Sequence, residues 1–521
     1  MNKAGPRQWF GLSILLLPTV LLFLAMTVLF LATPQIAADL DPSGAQLLWI
    51  NDIYGFMMAG LLVAMGTVGD RIGRRKVLLF GAAAFGVASL LAALAPNAEL
   101  LIAARAVMGV GAAAVMPSTL SLISNMFKDD RQRGTAIGLW AASISVGVAI
   151  GPLVGGLLLE AFWWGAALLA GVPVMVLVLV GAPFLIPEYR APKSGGLDPL
   201  SVLLSMATLL PIVYGVKELA KAGPGVISLG TLAVGLLFGV IFVRRQLRLE
   251  NPLLDVRLFA DKVFSGALSV FMLSAVALGG VYLLFTQYLQ LVAGLSPLEA
   301  GLWILPAALA LVAVSTLSPV IARRVRPAYV ISGGAFLSVI GYLLMTQVGS
   351  VAGLPMLLTG FFVLYPGIAP AMALNTALVI GSAPPEKAGA ASAVNTTASD
   401  LGTSLGVAVL GSVGTAVYRA AMPAGAPDTL SGALTAAESL PGQTGEALVA
   451  AARAAYTDGL NVAGGIAAAL VAVAIVLSLT MLRKVPATNA PAAAEPAPAE
   501  REEALASSGS PAFPWRSSER R

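Results

Sequence analysis

A chain of 521 residues that is 58% hydrophobic and only 11% charged cannot be a water-soluble globule. Surface grows too steeply with mass for that much apolar side chain to be buried, and soluble domains carry roughly 25% charged residues. The net charge of +5 marks no nucleic-acid partner, because the basic residues sit in short loops between apolar runs, and the absence of Cys and His excludes disulfides, thiolate metal sites and imidazole proton chemistry.

With a mean hydropathy of +0.88, lipid is the expected solvent. A hydrocarbon core about 30 Å thick needs roughly 20 helical residues. Apolar runs of that length fall at 11–33, 47–67, 77–95, 100–121, 135–159 and 163–186. Two more follow at 198–217 and 225–243, then six at 264–291, 298–321, 328–347, 353–379, 389–417 and 459–481. The runs are continuous, without the period-two alternation of a barrel, so about fourteen transmembrane helices are expected. The first run is too long for a cleavable signal.

Lys and Arg set the expected orientation. Arg71 to Lys76, Lys128 to Arg133, Arg244 to Arg248 and Arg323 to Arg326 fall on one side, whereas the loops at 34–46, 96–99 and 292–297 carry no basic residue. The positive-inside rule then places both termini in the cytoplasm of a multi-pass inner-membrane protein. Lys217, Lys221, Arg419 and Arg453 are the exceptions. The expected organisation is a six-helix bundle over 1–186, two extra helices and a cytoplasmic linker over 187–262, and a second six-helix bundle over 263–484. A long outer loop, with short helices or a hairpin, is expected over 418–458, and an Ala/Pro/Glu-rich disordered tail over 485–521.

The most specific signal runs from Gly66 through Gly69, Asp70, Arg71, Gly73, Arg74 and Arg75 to Lys76. Its glycines let helix ends approach closely. Asp70 is placed to accept from helix N-terminal amides and to pair with an Arg, a gating latch between cytoplasmic helix ends. A plain positive-inside loop would not need this G-x-x-x-D-R-x-G-R-R spacing. The segment resembles the signature of the major facilitator superfamily. Arg105, Gly109 and Gly111 resemble that family's fourth-helix motif. Gly147, Gly151, Pro152, Gly155 and Gly156 resemble the fifth-helix motif of its antiporters. With fourteen spans, the chain is similar to the drug:proton antiporter branch. The resemblance implies an all-α integral membrane fold of two six-helix bundles plus two extra helices, driven by the proton gradient without cofactor or metal. It implies a bacterial exporter, a monomer whose partners are lipid, protons and a small-molecule substrate.

Carboxylates within the spans are costly and usually functional. Asp52, on one helix face with Phe56 and Ala59, and Asp400, with Thr396 and Thr403, are the candidates for proton coupling, with Arg105 a possible partner for an acid. The bland readings are an acid solvated at the interface for Asp52 and a structural partner for Asp400. Substrate contacts are expected from Ala25, Trp49, Phe56, Met57, Tyr282, Phe285, Tyr288, Phe361, Tyr365, Asn375, Asn395 and Thr396. For any single ring among these, helix packing or an interfacial belt is the ordinary role.

Two positions depart from the resembled exporters: Ala25 and Thr396 stand where an acid is usual. Both losses weaken the case for a divalent cation, which needs countercharge in low dielectric. Three accounts stay open: a neutral, zwitterionic or lipid-like cargo, a chain altered to uncouple it or lock one state, or sufficiency of Asp52 and Asp400. The runner-up function is therefore a lipid or specialised-metabolite exporter of the same fold. A non-transporting sensor is disfavoured by the intact latch. No nucleotide-binding signature or catalytic His or Cys is present, so neither ATP drive nor an enzyme is expected.

Overall fold

The computed structural model describes residues 4–190, 198–223, 225–249, 252, 256–382, 388–423 and 425–487. The tail over 485–521 falls almost wholly outside the described residues. Those described form sixteen α-helices, one 3-10 turn, one π turn and no strand. In chain order the first seven helices are α1 (Pro6–Leu40), α2 (Gly44–Ile72), α3 (Arg74–Ala93), α4 (Ala98–Met126), α5 (Asp130–Ala161), α6 (Trp164–Leu169) and α7 (Gly171–Leu185). Next come α8 (Pro199–Ala222), α9 (Val226–Arg248) and the 3-10 turn Val256–Ala260. The rest are α10 (Lys262–Gln287), which runs on through the π turn Tyr288–Val292, α11 (Pro297–Ala322), α12 (Pro327–Met345), α13 (Leu354–Gly381), α14 (Ala388–Ala421), α15 (Leu430–Glu438) and α16 (Gly442–Met481).

Among the described residues thirteen spans are long and apolar enough to cross a membrane, α6 and α7 together making one. The α2 helix is bent by 51° between Gly44–Leu62 and Ala64–Ile72 and makes the fourteenth. Helix starts are satisfied locally, as apolar surroundings require. Ser43 and Gln46 form a capping box on α2, Ser296 and Glu299 another on α11, while Asn97 and Asp261 cap α4 and α10.

One expectation is corrected. The last span was placed at 459–481, but α16 begins at Gly442 and has 40 residues. At 1.5 Å per residue that is about 60 Å, twice the hydrocarbon thickness. Glu446, Arg453 and Asp458 interrupt the hydropathy, yet the Ala-rich sequence around them is strongly helix-forming. Among the described residues, α15 and short turns are what remains of the long loop.

Helices α1 to α7 pack mainly among themselves, as do α10 to α16. The two sets meet where α5 lies on α11 and α2 on α14. Between them α8 crosses the α2–α14 seam, with Val213 buried against Phe56 and Ala408 and with Met206 seated over Gly60. α9 pairs with α8 and leaves most of its apolar surface exposed, as a lipid-facing helix does. The pair is clasped at one end by Arg245, whose Nε and Nη2 donate to Asp198 at 2.8 and 3.0 Å, and by Gln246 donating to Ser201 at 2.6 Å. Hydrogen bonding from Arg245 holds the Asp198 carboxyl down at about 2. The clasp is therefore fully present above the ordinary carboxylate range and is lost only as pH falls through about 2.

Candidate functional site: a buried charge, an aromatic cluster and two ends

The ends of the bundle differ. One carries the basic turns and is called the basic end. The other carries the turns at 41–43, 94–97 and 293–296 and is called the far end.

Gly109 lets α4 approach α2 so closely that a Cβ there would sit 2.5 Å from the Tyr54 carbonyl oxygen. One turn away, Arg105 is 1% exposed. Its Nε donates to the Ile50 carbonyl at 3.2 Å and its guanidinium lies 4.6 Å from the Tyr54 ring centroid. Asp52, also 1% exposed, lies within electrostatic reach of this guanidinium. Burial sets aside the reading of Asp52 as a solvated interfacial acid and points Arg105 to a particular carboxylate. The charges sit beside a polar link between α1 and α2, where Thr33 Oγ1 lies 3.1 Å from Asn51 Oδ1.

The rings on α10 and α13 do meet. Phe285 stacks on Phe361 at 4.1 Å and 10°, Phe361 on Tyr365 at 4.8 Å, and Tyr282 on Tyr365 at 6.3 Å. Phe30 of α1 closes the group edge-on to Tyr282 at 5.4 Å, bringing in the other helix set. Phe30 was not singled out in the sequence, where it reads as one more apolar residue in a continuous run. Tyr282 is buried, and among the described residues its hydroxyl has no hydrogen-bond partner. Tyr288 points elsewhere, donating to the Gly349 carbonyl at 2.5 Å.

The other candidates are dispersed. Trp49 and Phe56 pack beside α8 on the α2–α14 seam, and Met57 packs over Gly109. Ala25 is buried in α1. Asn375 donates to Asn395, whose amide in turn donates to Thr376 at 3.0 Å, a polar tie between α13 and α14. Thr396 is half-buried on α14, and the side chain of Asp400 lies outside the described residues. The structure thus gathers the α10 and α13 rings in one place, Asp52 with Arg105 in a second, and Asn375 with Asn395 in a third.

The basic turn is built more elaborately than its sequence suggests. Asp70 takes Arg74, Nε at 2.8 Å and Nη2 at 2.7 Å, and the Arg74 chain folds over Gly69. Nη1 of Arg74 reaches the Pro117 carbonyl of α4 at 3.5 Å, near Gly66. Gly73 adopts φ 118°, where only glycine is at ease. The helix-capping role expected of Asp70 falls to residues after α7: Arg74 N donates to the Tyr189 carbonyl and Arg75 N to Glu188 Oε1, both at 2.9 Å. Arg75 Nη1 also donates to the Ile186 and Pro183 carbonyls at 3.0 and 3.2 Å. Arg71 is exposed beside this cluster. Glu188 went unnoticed because its signal is one acid following Pro187, far from the turn in sequence.

Glu188→Ala will therefore loosen the turn while leaving Asp70–Arg74 in place. Removing a carboxylate from a helix N-terminus costs about 0.5–2 kcal/mol. Protease nicking at Arg74 and Arg75 should accelerate several-fold in detergent, and Glu188→Gln should recover part of the protection. Unchanged nicking in Glu188→Ala would remove Glu188 from the account.

The fifth-helix glycines divide between two neighbours. Gly147, Gly151 and Gly155 face Val20, Thr27 and Val28 of α1. Gly156 faces Pro297 and Leu298 of α11, where a Cβ would lie 2.7 Å from backbone atoms, and Gly301 of α11 abuts the Pro152 carbonyl. The far end is further joined by Gln290 donating to the Leu31 carbonyl at 3.0 Å, Thr286 to Phe30 at 3.4 Å, Ser431 to Pro34 at 3.3 Å and Ser296 to Glu160 at 3.0 Å. The two helix sets are thus closed on each other there.

A bilayer-length helical bundle with a buried acid and a buried guanidinium within electrostatic reach, and a seam between two helix sets, defines a polytopic membrane transporter, not an enzyme. The sequence profile of the Major Facilitator Superfamily matches residues 15–407, and the chain belongs to that superfamily. It is 42% identical over 480 residues to the multidrug efflux pump LfrA of Mycolicibacterium smegmatis, covering 90% of this chain and 95% of that one. It is 36% identical over 470 residues to the methyl viologen resistance protein SmvA of Salmonella typhimurium, covering 86% and 93%. A bacterial homologue of the lysosomal transporter Spinster, in an inward-facing and unoccupied conformation, shares the fold with a TM-score of 0.65, at 17% identity and covering 94% and 100%. The resemblance read from Gly66 to Lys76 is borne out, and the chain is a multi-pass bacterial membrane protein.

Proposed function

We propose that this protein is a proton-coupled exporter of small amphipathic drugs, dyes or antiseptics, working by alternating access between two six-helix halves, 1–186 and 263–484. The observation that carries the reading is the buried Asp52 beside Arg105. An acid held out of water near a guanidinium, on a helix that meets the other helix set, is a group that alternating access would expose to one side and then the other, which is what coupling to a proton gradient requires. Relatives at 42% and 36% identity are a multidrug pump and a methyl viologen resistance protein, which supports drugs as cargo. Orientation follows the basic turns: the basic end and both termini face the cytoplasm, the far end faces outward, and the posture seen is closed to the outside. The protein works as a monomer, without cofactor or metal.

A second reading, export of neutral or lipid-like cargo, rests on Ala25, a buried position without charge where a cation pump usually keeps an acid. The two separate in inverted vesicles. With a pH gradient imposed, the chain should accumulate an ethidium-type dye, and collapsing the gradient should stop it. Asp52→Asn and Asp400→Asn should each lower the initial rate by at least about tenfold, and Ala25→Asp should extend the range to methyl viologen. Full activity in both carboxylate variants would remove carboxylate coupling. Export indifferent to the gradient would favour the second reading.

A further inference from the structure

Three polar side chains at four-residue spacing, Tyr282, Thr286 and Gln290, line the side of α10 and its π turn that meets α1. The two nearer the far end reach across the seam: Thr286 Oγ1 lies 3.4 Å from the Phe30 carbonyl, and Gln290 donates to the Leu31 carbonyl at 3.0 Å. The third, one turn nearer the basic end, does not. Tyr282 is 5% exposed, and among the described residues its hydroxyl is unpartnered. Rings surround it: Phe30 edge-on at 5.4 Å, Tyr365 stacked at 6.3 Å, Phe361 and Phe285 tilted at 6.1 and 6.4 Å. Four of these five rings belong to α10 and α13, and Phe30 comes from the other helix set. A phenylalanine would pack here as well. The hydroxyl instead costs the fold the desolvation of a donor. An acceptor that reaches it gains the bond without that loss, because the fold has already stripped the donor of water.

We propose that Tyr282 determines which cargo is taken: an aromatic ring bearing a carbonyl-type acceptor displaces Phe30 from the Tyr282 ring and receives the hydroxyl's hydrogen bond. The inference rests on the export reading above and narrows its cargo. Phe285, Phe361 and Tyr365 offer ring faces to any aromatic body, so they do not discriminate. The hydroxyl does, because a ring without an acceptor gains stacking alone and leaves the donor as it was. Space comes by exchange. Phe30 is held by the half that the cycle moves, and its edge on Tyr282 is a place a cargo ring can take. That exchange also couples binding to movement. Cargo loaded from the basic end removes one contact that keeps the helix sets together, so it binds better as the far end parts and shifts the balance by its differential affinity.

The probes are two aromatic cations that differ by one carbonyl, 4-benzoyl-N-methylpyridinium and 4-benzyl-N-methylpyridinium, in equilibrium dialysis against the purified full chain. The wild type should bind the benzoyl probe at least about tenfold more tightly. Tyr282→Phe should bring the benzoyl probe to the Kd of the benzyl probe. It should melt no lower than the wild type, since it removes a hydroxyl without a partner. Phe30→Ala, which removes the competitor, should tighten both probes several-fold and keep the preference. Tyr282→Phe keeps the test open even if Phe30→Ala folds poorly. Failure of the wild type to bind either probe, equal binding of the two, or a preference that survives Tyr282→Phe overturns the proposal. Equal weakening of both probes by Tyr282→Phe, or a lower melting point, would make the hydroxyl part of the packing and overturns it too. Unchanged or weaker binding in a folded Phe30→Ala protein overturns the displacement. A preference abolished by Tyr282→Phe, in a protein whose vesicles export neither probe under a pH gradient, keeps the ring site and discards the export reading instead.

Discussion

Arg105→Ala will abolish drug export and destabilise the fold by about 3–5 kcal/mol, the usual cost of removing one member of a buried, compensated charge group. The residue is 1% exposed and makes three kinds of contact at once: a hydrogen bond to the Ile50 carbonyl, a cation–π contact with Tyr54, and electrostatic attraction to Asp52. None is replaceable by water at that depth. Arg105→Lys keeps the charge but loses the planar fork that reaches carbonyl and ring together, so it should fold and still export poorly. Thermal unfolding in detergent, read alongside dye export, separates the two effects. The pair test is a double-mutant cycle with Asp52→Asn. If the guanidinium acts through that carboxylate, the double variant loses less stability than the two single losses summed, by 0.5 kcal/mol or more. Arg105→Ala with wild-type export and melting would overturn the central role given to this charge.

The sequence discloses what depends on length and local pattern, and conceals what depends on contact across the fold. Spans were legible because hydrocarbon thickness fixes helix length. The main miss, the start of α16 at Gly442, came where charged residues ride on an Ala-rich helix that outruns the bilayer. Gly109 and Arg105 were legible as a motif, yet nothing in the chain told which acid Arg105 faces, since α2 and α4 are brought together by backbone proximity. The α10 and α13 rings recur at one-turn spacing and were readable as a set. Phe30 was not, because an apolar run in lipid has no polar face against which one ring stands out. Glu188 lies more than a hundred residues from the turn it caps. The posture of the seam is a property of packing between the two helix sets and leaves no trace in composition.

That posture makes the last prediction. At the far end α5 and α11 touch backbone to backbone through Gly156 and Gly301. A methyl group at either position has nowhere to go while this end is closed. Gly156→Ala would set Cβ 2.7 Å from the Leu298 Cα and Pro297 oxygen, and Gly301→Ala would press on the Pro152 carbonyl. Backbone cannot swing aside as a side chain can, so each methyl costs about 1–3 kcal/mol in the closed posture. Little of that cost remains once the helices part. The equilibrium then shifts toward an open far end by about 5- to 150-fold. The absence of native cysteine makes the shift readable with one introduced thiol. Thr286 is fully buried under Phe30 at this end, so Thr286→Cys should react slowly with a membrane-impermeant maleimide applied outside. Adding Gly301→Ala should speed labelling at least about fivefold and, if the proposed alternating-access cycle holds, slow export by depopulating the posture closed at this end. Gly333→Ala, where a Cβ meets nothing within 4 Å, should change neither rate. Unaltered labelling in a folded Gly301→Ala protein would mean that the seam does not open at α5–α11, and the closed far end would then be architecture and not a gate.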